Sequence, residues 1–103
     1  MKNQPGPVVC SLSETELRVR EEALLTQFRA AVIAIEELSN GYAFRLPEDR
    51  KWIAIAAELI TLERECCPFL AFELLVQPGL GPAILRMTGP PGAKEFLKTI
   101  FCP

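Results

Sequence analysis

Histidine is absent from the 103 residues. That removes imidazole as a general base, a triad member or a metal ligand within one chain. Basic residues are also few: 11 Lys and Arg stand against 13 Asp and Glu, the net charge is −2, and no basic cluster forms. Phosphate recognition needs the opposite balance, so nucleic-acid binding is disfavoured. No apolar run approaches the roughly 20 residues of a membrane span. The first residues, among them Lys2, Asn3, Gln4, Pro5, Gly6 and Pro7, lack the apolar stretch of a signal peptide. These absences lead us to expect a cytoplasmic protein without a membrane partner. There is no serine-nucleophile motif, no Walker loop and no convincing pair of catalytic carboxylates, so the sequence points to no enzyme class.

What is present suffices for one domain. Half of the residues are apolar, too many for a disordered chain of low net charge. Residues 1–9, rich in proline and polar groups, read as a flexible tail ahead of a single α+β domain over residues 10–103. Ser13, followed by Glu16, is a capping-box pattern for a first helix whose buried stripe is Leu17, Leu24 and Phe28. Glu14–Arg18 and Glu16–Arg20 are i,i+4 pairs on its outer face. Ala31 to Leu38 and Tyr42 to Leu46 flank an Asn40-Gly41 step, a hairpin signal because both turn residues tolerate positive φ. Tyr42, Phe44 and Leu46 share one face of that hairpin.

Pro47-Glu48-Asp49 opens a second helix carrying Trp52, Ile55, Leu59, Leu62 and Cys66 on one side. Pro68 ends it. Leu70, Phe72, Leu74 and Val76 alternate along a third strand, and Ala83 to Thr88 form a fourth. The Thr88-Gly89-Pro90-Pro91-Gly92 loop leads into a short helix with Phe96, Leu97 and Ile100 facing inward; its prolines suit a helix start better than an anion cradle. The order α-β-β-α-β-β-α repeats a hairpin-then-helix pattern, with few sequence identities, at an offset of about 40 residues. A two-layer sandwich follows, with a four-stranded antiparallel sheet and helices on one face. Its uncovered sheet face invites a homodimer.

The adjacent pair Cys66–Cys67 stands out from this background. In a reducing compartment four cysteines read as thiols or metal ligands in preference to a disulfide framework. Neighbours on a helix point about 100° apart, so Cys66 falls mid-stripe and Cys67 at its edge. Glu63 lies in the same apolar arc, where a carboxylate must snorkel out, pair with an arginine such as Arg45 or Arg86, or belong to a site. The thiols sit at the negative end of a helix beside Glu63 and Glu65, which disfavours a thiolate nucleophile. A bound soft cation reverses that balance. Cys66 and Cys67, with Cys10 as a third ligand and Glu63 beside them, would suit a soft metal or metalloid ion. A Cys₄ set that adds Cys102 lacks the paired knuckles of zinc ribbons. Three other readings stand beside this one: a vicinal disulfide acting as a redox switch, a thiol-disulfide redox protein, and a homo-oligomeric interaction domain whose cysteines merely fill the core.

The run Leu62-Glu63-Arg64-Glu65-Cys66-Cys67-Pro68-Phe69-Leu70 resembles the signature of a family of small bacterial proteins with no established activity. Cys10-Ser11-Leu12, Gly41-Tyr42-Ala43-Phe44-Arg45 and Thr88-Gly89-Pro90 fit the same pattern, so the resemblance spans residues 10 to 101. It implies a bacterial metal-resistance setting and places Cys10 with Cys66 and Cys67.

Overall fold

Four antiparallel strands form one sheet, and three helices cover a single face of it. The structure, a computed structural model, describes residues 15–101. The elements are α1 (Thr15–Ala31), β1 (Ala34–Leu38), β2 (Gly41–Arg45), α2 (Lys51–Cys66), β3 (Ala71–Leu75), β4 (Ile84–Thr88) and α3 (Ala93–Phe101). This is the α+β sandwich expected from the hydrophobic pattern. The capping residue Ser13 and the pair Glu14–Arg18 involve positions outside the described residues.

The sheet order is β1-β2-β4-β3. Each hairpin therefore contributes its second strand to the centre, where Tyr42 lies opposite Met87 and Phe44 opposite Leu85. These four side chains are buried and form the floor of the core. Phe28 of α1 meets Phe44 edge-on at 5.5 Å between ring centres, and Phe101 of α3 meets Phe44 at 5.3 Å. On the opposite face, Arg45, Glu73 and Arg86 are exposed, with Arg86 and Glu73 paired across β3 and β4. Side chains alternate along a strand, which puts Tyr42 and Phe44 on one face and Arg45 on the other, where small Ala43 is nevertheless buried.

Three local expectations need correction. The first hairpin turns at Ser39-Asn40, and Gly41 is already the first residue of β2, opposite Leu38. Neither Asn40 nor Gly41 has positive φ; among the described residues only Gly79 and Gly92 do. Gly41 is needed for a different reason. A Cβ built there would lie 1.9 Å from the Met87 carbonyl oxygen, so β4 runs where a side chain would stand. Gly41→Ala should therefore prise β2 from β4 and cost about 2–4 kcal/mol, read as a lower urea midpoint.

The second correction concerns Arg20. It reaches across to Glu58 of α2 in a two-bond pair, Nε and a terminal nitrogen each 2.7 Å from a carboxylate oxygen, instead of pairing with Glu16. The planar guanidinium fork meets both oxygens of the Glu58 carboxylate at once. The third concerns α3, which buries Ala93, Leu97 and Phe101, leaving Phe96 and Ile100 half-buried at its flank. The i,i+4 spacing of Ala93, Leu97 and Phe101 puts them on one face of α3, which packs on β2 and β4. Phe96 turns aside to stack edge-on with Phe69, at 5.3 Å.

Candidate thiol and carboxyl site

The last turn of α2 carries the site. Trp52, Ala56, Leu59, Leu62, Glu63 and Cys66 are its buried residues, so the helix sinks an acidic side chain within an otherwise apolar stripe. Residues three and four apart on a helix share a face. Glu63 therefore stands over both Cys66 and Cys67. The peptide N–H of Cys67 still donates to the Glu63 carbonyl, at 2.6 Å, but Cys67 itself has left helical geometry at φ −126° and ψ 74°. The proline at position 68 imposes that departure. Two adjacent cysteines that an unbroken helix would splay apart are thus both buried, Cys66 at 3 % and Cys67 at 0 % exposure.

One donor atom from each of Glu63, Cys66 and Cys67 lies within 4.8 Å of the others. The Cys67 thiol points at Glu63 Oε1, 3.7 Å away. Glu63 is 1 % exposed, and its Oε2 has no hydrogen-bond donor among the described residues. Neither Arg45 nor Arg86 reaches it: Arg86 pairs with Glu73 on the far face of the sheet, and Arg45 is exposed on that same face.

A second buried carboxyl group completes the cluster. Glu21 of α1 is 7 % exposed and acts on Glu63 through a side-chain hydrogen bond and through its charge. Burial, first of all, and then Glu21 push the Glu63 carboxyl up to about 9. Burial and the two carboxyl groups likewise hold the Cys67 thiol far above its ordinary range. Glu63 is therefore a neutral acid at neutral pH, and Cys67 a thiol. For Cys67, the expectation of a poor nucleophile has a structural cause in burial and the two neighbouring carboxyl groups.

Cys66 departs from the sequence-based expectation of four thiols: it is disulfide-bonded, while Cys67 is a free thiol. The two adjacent sulfurs are therefore not joined to one another, which overturns the vicinal disulfide. Cys10 and Cys102 lie outside the described residues.

A groove of about 520 Å³ leads from solvent to this corner of the molecule. Glu21, Glu22, Leu25 and Arg29 of α1 line one wall, Phe96, Thr99 and Ile100 of α3 the other, and Cys66 lies at its α2 end. Arg29 also donates to the Ile100 carbonyl at 3.1 Å, tying α1 to the end of α3.

Glu21 is the residue that sequence reasoning missed. The signal was present: Leu17, Glu21, Leu24 and Phe28 follow a 4-3-4 spacing, so Glu21 falls inside the apolar arc of α1 as Glu63 does inside that of α2. Two carboxylates on the buried stripes of two helices in contact are an anomaly that each helix alone only half discloses. No family model, no curated protein and no solved structure matches the chain. No helix among the described residues is long and apolar enough to cross a membrane.

Proposed function

We propose that the protein binds soft metal or metalloid ions through the sulfurs of Cys66 and Cys67, with Glu63 beside them, in its reduced state. The observation that carries this reading is the convergence of two sulfurs and a buried carboxyl oxygen within 4.8 Å, at a place where burial alone does not favour polar atoms. A thiophilic ion supplies what the cluster lacks. It replaces thiol protons, and its charge makes buried thiolates tolerable. The resemblance to bacterial proteins of metal-resistance settings supports the same reading and adds Cys10 as a further ligand. A cytoplasmic location suits it, because the reducing pool there keeps thiols available.

The disulfide at Cys66 makes the proposal conditional on redox state. Two electrons from a thiol or phosphine reductant convert that disulfide to two thiols, taking up two protons, and free the Cys66 sulfur for an ion. Titration with arsenite and mercuric ion should therefore give one tightly held ion per chain after phosphine reduction. Air-oxidised protein should hold arsenite weakly, and reduction should restore tight binding. Equal arsenite affinity in both redox states would contradict ligation by Cys66.

A further inference from the structure

The thiol reading leaves the buried carboxyl group as a bystander, and the geometry assigns it more. We infer that Glu63 is itself a ligand, forming with Cys66 and Cys67 a two-sulfur, one-oxygen site for a borderline divalent cation of the Zn²⁺ or Cd²⁺ kind. The inference rests on the thiol site proposed above and names the class of ion that this site takes.

Three observations point this way. Glu63 is as deeply buried as the cysteines, and one of its oxygens and the two sulfurs all lie within 4.8 Å of one another. Its Oε2 faces the acidic side chain of Glu21 and no basic or backbone donor among the described residues, so no cation of the protein itself balances this carboxyl group. Its Oε1 accepts from the Cys67 thiol, and that donor disappears once the sulfur binds an ion. After ligation, Oε1 would stand beside sulfur anions with its donor gone unless it met the cation as well.

Charge narrows the ion. A mercuric ion is satisfied by two sulfurs in a line, and trivalent arsenic by sulfurs with a hydroxide; neither needs a carboxylate. Zn²⁺ and Cd²⁺ accept both sulfur and oxygen donors and complete a tetrahedron. Binding of M²⁺ replaces the protons of two thiols and one carboxylic acid, so three protons leave and a complex of net charge −1 forms. Glu21 touches Glu63 and also lines the groove, so an arriving cation meets an acidic side chain before it reaches the sulfurs.

The test compares Zn²⁺ and arsenite on the full chain, reduced by a phosphine that does not compete as a thiol would. Wild type should bind one Zn²⁺. Glu63→Gln should lose roughly a hundredfold or more in Zn²⁺ affinity, at or beyond the upper end of what an outer-shell partner is worth. The same variant should bind arsenite as wild type does, which shows that its fold and thiols are intact. Co²⁺ in wild type should give the strong visible absorption of a four-coordinate site with sulfur charge-transfer bands. Unchanged Zn²⁺ affinity in Glu63→Gln, with Cys67→Ala abolishing it, would overturn the carboxylate ligand and leave the thiol site standing. Arsenite binding without Zn²⁺ binding in wild type would do the same. Failure of wild type to bind either ion would overturn both.

Discussion

Cys67→Ala should abolish tight ion binding while leaving the fold in place. Cys67 is the free sulfur of the pair, fully buried, with Glu63 as its hydrogen-bond acceptor. Alanine removes one of two adjacent sulfurs, and a single thiolate cannot chelate. The affinity of reduced protein for arsenite should then fall by at least about a thousandfold, the equivalent of some 4 kcal/mol. The structural cost is small by comparison. Deleting one sulfur from a packed interior leaves a cavity smaller than a methylene pair and costs about 1 kcal/mol. Glu63 also loses a neighbour that donates to it, and Glu21 becomes its main polar contact. Circular dichroism and a urea midpoint close to wild type, together with lost arsenite binding in calorimetry, would meet the expectation. Retained full affinity would remove Cys67 from the site.

Glu63→Gln should stabilise the protein at and above neutral pH and flatten its pH dependence. Folded Glu63 holds its proton up to about pH 9, against an ordinary carboxyl value of 4.5. Below pH 4.5 the acid is neutral in both the folded and unfolded chain, and the group contributes its full share of stability. Between 4.5 and 9 the unfolded chain ionises and the folded chain does not, so stability falls as pH rises through that window. The causes are burial, first of all, and Glu21 from α1; the hydrogen bond from Cys67 opposes them and pulls the other way. Glutamine keeps the shape and neutrality of the acid. Its amide N–H₂ donates toward Glu21, and its carbonyl accepts from Cys67. Wild type should lose on the order of 4 kcal/mol between pH 5 and pH 8, and the variant much less. At pH 8 the variant should melt roughly 15–30 °C higher, at about 4–8 °C per kcal/mol for a domain of this size. A variant that melts lower than wild type at pH 8 would show Glu63 ionised and paired in the folded protein.

The amphipathic pattern made most of the fold legible. Period-two alternation in Tyr42-Ala43-Phe44 and period-3.6 recurrence from Trp52 to Cys66 each report which face meets the core, because burial is what sets the pattern. Glu63 was visible as a charge in an apolar arc for the same reason. Other features are set by contacts between elements and leave no local trace. The central β2–β4 pairing depends on how two hairpins meet, and with it the need for glycine at position 41 against the Met87 carbonyl. In α3, both Leu97-Phe101 and Phe96-Ile100 are helical pairs, and only the position of the sheet decides which is buried. Glu21 was half legible: its spacing marks it as buried, but its meaning comes from Glu63 on a different helix. The redox state of Cys66 is likewise a matter of tertiary pairing.

The most direct test of the site is native mass spectrometry of anaerobically purified, phosphine-reduced protein titrated with arsenite, mercuric and zinc ions. The account predicts one ion per chain, lost when Cys66 and Cys67 are both replaced by alanine. Retention of the same ion by that double variant, or sulfurs that react with no ion until the chain unfolds, would contradict it. In the latter case the cysteines would be core residues, and the carboxyl pair would have some other purpose.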